Sequence, residues 1–288
     1  MRWFPDGTFE NEDGDDATDV GWLACAIARL DVDVLAVQEF KTHARARRAQ
    51  SELLTELDEL TGGAWALVLD DCPHDNQPHQ GFLYDQTKVH VSAARDLPEL
   101  NPHEGACGGA QRPGMAVEVT FDDGVEVVLV NVHTKSGSRP EDRKLRIDSF
   151  DTMASVHRDE VASTGIDDVV FLGDFNTNGC PDCSEPLTAN AEVWDLDERL
   201  ANFEVPLTIA PADATCTEYQ HGKPWPLDHV VVPVSSELVD YLPVHVDGHC
   251  QALGCREDVD LPRAQYELSD HCPLVLEIRE RALASAMR

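Results

Sequence analysis

The segment Gly173-Asp174-Phe175-Asn176 places a carboxylate and a carboxamide at the end of a predicted strand. It directly follows the apolar residues 168–172, which are typical of a buried strand. Because side chains alternate along an extended chain, we expect Asp174 and Asn176 to point to one side and Phe175 to the other. Asp174 could then hold a water molecule or a metal ion, and Asn176 could donate to a phosphate oxygen. Asp and Asn are also common in turns, so this motif alone does not define a site.

Four further polar clusters lie beside predicted strands in the same way. They are Gln38-Glu39, His133-Thr134-Lys135-Ser136, Asp228-His229 and Ser269-Asp270-His271. Turn chemistry seldom accounts for so many carboxylates and imidazoles at strand ends. Brought together, they would supply what metal-assisted hydrolysis of a phosphoester needs: oxygen ligands for Mg²⁺, a His–Asp pair that activates water, and donors that stabilise developing negative charge.

The order of these motifs resembles the endonuclease/exonuclease/phosphatase superfamily, of which deoxyribonuclease I is a familiar member. The resemblance covers about residues 20–280 and rests on Gln38-Glu39, Asn131-Val132-His133, Gly173-Asp174-Phe175-Asn176, Asp228-His229 and Ser269-Asp270-His271. It implies a four-layer α/β/β/α sandwich, in which two packed mixed sheets are flanked by helices, as one domain over residues 1–288. It also implies an active site in a cleft at one rim of the sheets and Mg²⁺ (or Mn²⁺) as cofactor.

The resemblance further implies a role for each residue of the site. His271 resembles the general base that takes a proton from the attacking water, and Asp228 resembles the carboxylate that orients it. The other implied roles are metal ligands for Glu39 and Asp270, orientation of the water or metal for Asp174, phosphate binding for Asn176, and an acid for the leaving oxygen for His133. The abasic-site endonucleases carry a tyrosine near the place of His133, which argues against that branch.

Arg112, Lys135 and Ser136 are further candidates for contact with the substrate phosphate, with ordinary loop polarity as the alternative. The stretch that contains Lys135 and Ser136 resembles a subgroup that includes secreted bacterial nucleases. His79 and Gln80 lie near the place where deoxyribonuclease I carries a Glu paired with its second histidine. This chain has no Glu there, which leaves the exact acid machinery open.

Hydrophobic periodicity predicts helices and strands over most of the chain. The predicted helices cover residues 17–30, 42–60 and 139–161, with a short one near 189–200 in a stretch, 179–222, that otherwise reads as loop. The predicted strands cover residues 34–37, 65–69, 81–84, 89–92, 115–121 and 125–132. Thr18 or Asp19 is the expected cap of the first helix, and Gly62 the expected end of the second. The expected inward residues of the second and third helices are Leu53, Leu54, Leu57 and Leu60, and Leu145, Ile147, Phe150 and Met153.

The composition is strongly acidic. The formal net charge is −32 and the pI about 4.4, so the chain has no basic footprint for nucleic acid. A nuclease of this charge needs a metal-loaded, locally positive cleft or high salt, because the charge repels a polyanion at long range. Five Lys stand beside seventeen Arg and 54 acidic residues, a balance that looks like adaptation to salty surroundings. The alternative is simply an acidic, soluble surface.

The nine cysteines give evidence on whether the protein works in an oxidising or a reducing compartment. Cys180 and Cys183, and Cys250 and Cys255, form close pairs in polar loops, where disulfides of an exported protein are usual. Free thiols, or a zinc site made from both pairs, are the alternatives. We predict a bridge between Cys250 and Cys255, because their interval permits the required Cα separation of about 5–6 Å.

Two other cysteines read as buried small hydrophobes: Cys25 in the first helix and Cys272 at the start of a strand. An odd total leaves at least one thiol free unless a bridge forms between molecules. No apolar run reaches transmembrane length, and residues 1–16 are too acidic for a signal peptide. Cysteine usage nevertheless favours secretion.

The start of the chain departs from the superfamily pattern. Members begin with a strand that ends in an Asn, which helps to bind metal or phosphate beside the Glu. Residues 1–7 resemble the segment that follows this Asn, so we expect the N-terminal strand and its Asn to be missing. An upstream segment could also have carried a signal peptide, which leaves localisation open.

The leading functional hypothesis is a Mg²⁺-dependent phosphodiesterase, a monomeric deoxyribonuclease I-like nuclease acting on nucleic acid. One alternative is a lipid or inositol phosphate hydrolase of the same fold. Such enzymes often carry an apolar hairpin or a basic patch, and the sequence has neither. Another alternative is a non-catalytic binding module that kept the fold, against which His271, Asp228, Asp174 and Glu39 speak. Specificity lies in rim loops, so the sequence does not choose among substrates.

Overall fold

A computed structural model describes residues 4–7, 17–73, 77–103, 107, 114–236, 243–262 and 268–278. The helices are α1 (Val20–Leu30), α2 (Ala44–Thr61), α3 (Pro140–Thr164), α4 (Ala189–Ala201) and α5 (Gly248–Leu253), with a 3-10 turn at Pro98–Leu100. The strands are β1 (Val34–Phe40), β2 (Trp65–Leu69), β3 (His79–Asp85), β4 (Val89–Leu97), β5 (Gly114–Phe121), β6 (Glu126–His133), β7 (Val169–Asp174), β8 (Leu207–Ile209), β9 (Glu218–Gln220), β10 (Lys223–Trp225), β11 (Asp228–Pro233), β12 (His245–Val246) and β13 (Leu274–Val275).

Two main sheets carry the fold. A six-stranded mixed sheet has the order β4-β5-β6-β7-β11-β8, in which β6 and β7 are parallel and the other pairs antiparallel. A smaller antiparallel sheet has the order β1-β3-β2. Two short pairs, β9 with β10 and β12 with β13, lie outside these sheets.

Three apolar clusters show how the layers pack. One cluster fills the space between the two sheets and includes Phe82 of β3 and Val117 of β5. A second joins α1 and α2 to the small sheet, and a third joins α3 and α4 to the large one, with Phe150 against strands of that sheet. Helix, sheet, sheet and helix therefore follow one another through the molecule, which confirms the predicted sandwich.

Most predicted helix limits agree with the structure. The Asp19 side chain caps α1 by accepting from the Trp22 backbone N–H at 2.9 Å, and α2 ends at Gly62 with a φ of 71°. Leu60 was predicted to face inward, but it lies in the last turn of α2, where the chain bends toward β2, and is 51% exposed. In α3 the prediction was also partly wrong, because Arg146 is buried while Leu145 and Ile147 are only half-buried.

The outer edge of β1 borders a large cavity. β1 pairs with β3 along one edge, and its residues 34–38 line a cavity of about 590 Å³. Residues of α1 and the segment 274–278 form other walls of this cavity. At the end of β1, Phe4 forms a parallel bridge with Phe40, and the Lys41 backbone N–H donates to the Phe4 carbonyl at 2.9 Å.

Four disulfides link cysteines of the described residues: Cys72–Cys107, Cys180–Cys183, Cys216–Cys255 and Cys250–Cys272. The Cys180–Cys183 bridge agrees with the sequence expectation. The predicted Cys250–Cys255 bridge is wrong. Cys250 lies on the buried side of α5 and meets Cys272, while Cys255 follows the left-handed cap Gly254 and turns toward Cys216. With these cysteines bridged, the thiolates of the zinc alternative are not available.

The two cysteines read as buried hydrophobes were also partly misassigned. Cys272 is buried, but it forms a disulfide. Cys25 is the free cysteine of the chain, and its side chain lies on the exposed side of α1. Among the described residues, no helix combines the length and apolar character needed to cross a membrane.

Candidate active site

Three adjacent strands of the large sheet place functional side chains in one row. His133 ends β6, Asp174 ends β7, and the parallel register pairs these two residues. Asp228 begins β11, and the antiparallel register pairs it with the same Asp174. Residues directly opposite one another project from the same face of a sheet, so the two strand ends and the strand start meet at one rim.

His271 reaches this row from the segment before β13. Its Nδ1 lies 2.8 Å from Asp228 Oδ2, a hydrogen bond in which the ring N–H donates to the carboxylate. This contact leaves Nε2 as the basic nitrogen, and Nε2 lies 4.0 Å from Asp174 Oδ2 and 3.8 Å from Glu218 Oε1. The predicted base and its orienting carboxylate are therefore brought together in the expected geometry.

Thr217 holds both members of this pair through the main chain and its hydroxyl. Its Oγ1 accepts from the backbone N–H groups of Leu227 and Asp228 at 3.0 and 2.8 Å. Its carbonyl accepts from the Cys272 backbone N–H at 2.7 Å, directly after His271. One residue thus fixes the starting point of β11 and the main chain that carries the imidazole.

Asn176 and Asp174 are closely joined. The Asn176 backbone N–H donates to Asp174 Oδ1 at 2.8 Å, and its side-chain Nδ2 donates to Asp174 Oδ2 at 2.9 Å and to the Thr134 carbonyl at 3.1 Å. Asn176 has a φ of 50°, a strained value for a residue with a side chain. Both amide hydrogens are engaged, so one must leave its present acceptor before Asn176 can donate to a phosphate oxygen. His133 Nε2 lies on the other side of Asp174, 3.6 Å from Oδ2.

Asn131 joins the two main sheets beside the site. Its buried side chain donates to the carbonyls of Val37 and Gly81 at 2.9 and 2.8 Å, and accepts from Gln38 Nε2 at 2.6 Å. Gly173 makes this approach possible, because a Cβ there would lie 2.8 Å from Gln38 Nε2 and 2.3 Å from a backbone oxygen. The polar bridge therefore sets Gln38, and with it the following Glu39, against the end of β7.

Burial and neighbouring charges shift the pKa values of three residues of the site. Burial raises the pKa of Asp174 to about 7, and Asp228 and Glu39 reinforce the rise while His271 opposes it. Burial also raises the pKa of Glu218 to about 8, with Asp270 reinforcing it. Burial by itself would lower the pKa of His271, but Asp228 and Asp270 outweigh it and raise that pKa well above its ordinary value. The two carboxyl shifts therefore arise mainly from burial, and the His271 shift arises from the carboxylates around it.

This donor set fits a hard divalent cation. One ligand atom each from Glu218, Asp270 and His271 lie within 4.8 Å of one another, and Asp174 adjoins the same group. The carboxylate oxygens of Glu218 and Asp270 suit Mg²⁺ or Mn²⁺, and a cation would offset the negative charge around them. Glu39 contributes to this field and has a φ of 65°, a second strained residue at the rim.

The remaining predicted substrate contacts lie apart from this row. Lys135 follows β6 and is turned toward Asp142, with 3.3 Å between Nζ and Oδ1. Ser136 beside it is exposed. Arg112 lies outside the residues that the structure describes.

Two residues beside the His271–Asp228 pair, Glu218 and Thr217, are missed by the sequence analysis. Glu218 and Thr217 fall in a stretch that reads as loop, and no spacing signal marks them. His229, which follows Asp228, is a buried packing residue: its Nε2 lies 3.0 Å from Thr177 Oγ1, and its ring is edge-on to Phe175. His79 is likewise buried, 2.6 Å from Asp70.

Comparison with known proteins assigns this chain to a family. A model of the Endonuclease/Exonuclease/phosphatase family matches residues 23–271. Truncated TDP2 of Caenorhabditis elegans shares 17% identity, with 88% of this chain and 87% of that one covered at a TM-score of 0.57. An endonuclease/exonuclease/phosphatase of Bacteroides vulgatus shares 16% identity over 90% of each chain at a TM-score of 0.55.

The catalytic domain of human nocturnin, solved with bound sulfate, shares 14% identity over 90% of this chain and 87% of that one at a TM-score of 0.52. No curated protein matches the sequence. Structural similarity at these sequence identities shows a shared fold only. The family model matches most of the chain and therefore shows the family. The chain belongs to the Endonuclease/Exonuclease/phosphatase family, and hydrolysis of phosphoesters is the chemistry that this membership supports.

Proposed function

We propose that this protein is a Mg²⁺- or Mn²⁺-dependent phosphodiesterase, a deoxyribonuclease I-like nuclease that cleaves nucleic acid as a monomer. The observation that carries the proposal is the His271–Asp228 hydrogen bond of 2.8 Å within a buried group of carboxylates. A base held by a carboxylate, next to hard oxygen ligands, is the arrangement that activates water against a phosphoester.

In the proposed reaction, His271 Nε2 takes the proton from the attacking water. Asp228 keeps Nδ1 protonated and stabilises the imidazolium that forms. Asp174 lies between His271 and His133, at 4.0 and 3.6 Å from their Nε2 atoms, and can orient the water. His133 donates a proton to the leaving oxygen, and Asn176 contacts a phosphate oxygen once its amide is released.

Glu39 and Asp270 would hold the cation, which would neutralise charge on the phosphoester. The shifted ionisation of the site supports a need for it. In the protein alone, Asp228 and Asp270 outweigh burial and raise the pKa of His271, which favours the protonated form that cannot act as a base. A positive charge among the carboxylates would lower this pKa and free Nε2.

The acidic charge of the protein determines the conditions under which it would cleave nucleic acid. The net charge of −32 repels DNA and RNA, so cleavage should increase with salt as the repulsion is screened. Cysteine usage, with four disulfides among the described residues, supports action in an oxidising compartment. A lipid or inositol phosphate substrate is the second candidate within the family.

The experiment is a titration of Mg²⁺ and Mn²⁺ against DNA, RNA, sphingomyelin and bis-nitrophenyl phosphate, each at low and high salt and with an EDTA control. We expect metal-dependent cleavage of DNA or RNA that increases with salt. Cleavage of sphingomyelin alone would replace the nuclease by the lipid hydrolase. Metal binding without hydrolysis of any substrate would indicate a binding module.

A further inference from the structure

Arg146 is a fully buried charge in the second turn of α3. Its guanidinium makes two hydrogen bonds to Glu192 of α4, from Nε to Oε1 at 2.9 Å and from Nη2 to Oε2 at 2.8 Å. Its other N–H groups donate to the carbonyls of Lys135 at 3.1 Å, Gly137 at 2.6 Å and Gly179 at 3.2 Å. All five guanidinium donors therefore have an acceptor.

The three carbonyls belong to the two loops that leave the site. Lys135 and Gly137 follow His133 at the end of β6, and Gly179 follows Asn176 at the end of β7. Since β6 and β7 are neighbouring parallel strands, both loops depart from the same rim. One guanidinium thus ties together the segments that carry two of the candidate catalytic groups.

Gly179 is held from both sides by the same ion pair. Its carbonyl accepts from Arg146, and its N–H donates to Glu192 Oε2 at 2.6 Å. It has a φ of +75°, and a Cβ there would lie 2.7 Å from a backbone oxygen. Asn178, next to it, donates from Nδ2 to the Asn176 carbonyl at 2.8 Å. The position of Asn176 is therefore linked to the ion pair through a short, hydrogen-bonded segment.

Stability alone does not account for this pair. Burying two charges costs desolvation free energy that their attraction seldom exceeds, and apolar residues of similar volume are often as stable. An apolar pair cannot hold three carbonyls at once. A lysine cannot do so in the same way, because its ammonium lacks the planar fork of donors. The contacts of Arg146 are those needed to hold the loops after β6 and β7 in one conformation.

We propose that Arg146 and Glu192 are positioning residues, which fix the loops after β6 and β7 and so set how the phosphoester meets Asn176 and His133. The proposal rests on the phosphodiesterase function proposed above. In this role the ion pair between α3 and α4 determines the conformation of two rim loops without contacting the substrate.

The test compares Arg146→Lys, Glu192→Gln and the apolar double variant R146M/E192L with Asp195→Asn. Asp195 Oδ2 pairs with Arg143 Nη2 at 2.5 Å between the same two helices and, among the described residues, makes no hydrogen bond to either loop, so D195N is a matched control. Backbone hydrogen exchange over residues 134–139 and 175–180 is measured together with kcat and KM for bis-nitrophenyl phosphate. Displacement of a reacting group by about 1 Å can cost about 10²-fold in rate.

We expect R146K and the double variant to increase exchange in both loops and to lower kcat by about 10²-fold, with a smaller change in KM. D195N should change neither. Loops that stay protected in both variants, or loops that loosen while kcat stays at the parent value, would overturn the proposal. If the parent protein hydrolyses no substrate, the phosphodiesterase function fails by itself, and the exchange data still decide whether the pair holds the loops. The double variant keeps the test valid if a single variant does not fold.

Discussion

The six-stranded and three-stranded sheets support the candidate site differently. In the large sheet, β6, β7 and β11 are interior strands, hydrogen-bonded on both edges, and they hold His133, Asp174 and Asp228 in one row. In the small sheet, Glu39 lies on β1, which pairs with β3 on one edge and borders the 590 Å³ cavity along residues 34–38. The strands of the large sheet carry the residues proposed to handle protons (the proton-handling half) and are paired on both edges. β1, which carries the proposed cation ligand Glu39, is an edge strand of the small sheet.

We therefore expect mutations in the two sheets to affect activity and stability differently. A change in the proton-handling half should lower activity with little loss of stability, because the strands remain paired. A change that affects β1 should alter stability and cation affinity together, because the same strand edge controls both.

Replacement of Asp228 by Asn should have the largest effect. The amide keeps the shape but loses the carboxylate that accepts from His271 Nδ1, so the imidazole loses its orientation and its charge partner. We expect kcat to fall by about 10²–10⁴-fold, the range typical of general-base loss, with a melting temperature close to that of the parent. Steady-state kinetics and calorimetry measure the two effects. A parent-like kcat would show that the dyad does not act in the reaction.

Loss of the Cys250–Cys272 disulfide should mainly reduce stability. The bridge spans a sequence separation of 22 and ends directly after His271. We expect the C250S/C272S double variant to lose about 3 kcal/mol of unfolding free energy, as for other loops of comparable length. Urea denaturation measures the loss, and Cys25→Ser, which alters the free cysteine, is the control. Equal midpoints for C250S/C272S and the parent would exclude the bridge.

An apolar strand that ends in Asn, fused directly before Arg2, should stabilise the small sheet. The parallel Phe4–Phe40 bridge directs such a strand along the edge of β1 that faces away from β3, into the cavity. Each added main-chain hydrogen bond contributes about 1 kcal/mol, so we expect a higher melting temperature and tighter Mg²⁺ binding. A Gly/Ser extension of equal length is the control. If both extensions behave alike, the cavity does not accept a strand.

The raised pKa of Glu218 should make the cation-free protein less stable as the pH rises from about 4.5 to about 8. Its pKa in the folded protein is about 8, against an ordinary value of 4.5, so the folded state holds a proton that the unfolded state releases. Its contribution to stability is complete below about pH 4.5 and disappears as the pH rises through about 8. We expect the melting temperature in EDTA to decrease over this range, less so in E218Q. An identical slope in E218Q would show that Glu218 is not buried as an acid.

Much of the site was predictable because its residues lie at strand ends with apolar strands beside them. The strands β7 and β6 contain the continuous apolar runs 169–172 and 127–130, so the sequence locates Asp174 and His133 just beyond them. The sandwich followed from the resemblance, with supporting periodicity in α1, α2 and α3. The pairing of His271 with Asp228 required that resemblance, because 43 residues separate them and local pattern cannot show their contact.

Other features depend on tertiary contacts that periodicity does not encode. Arg146 is buried because three loop carbonyls and Glu192 surround it, which no helical pattern reveals. Glu218 lies on a three-residue strand, too short for an alternation signal. The connectivity of Cys250 failed because spacing permits several pairings, and the packing of α5 selects the partner.

The central claim is that His271 is the base of a metal-dependent phosphodiesterase. The most direct measurement is kcat/KM for bis-nitrophenyl phosphate with saturating Mg²⁺, comparing the parent with His271→Ala and with His90→Ala, an exposed histidine on β4. The account predicts a loss of about 10²–10⁴-fold in H271A, no change in H90A, and no hydrolysis by the parent in EDTA. Hydrolysis by H271A at the parent rate would contradict it.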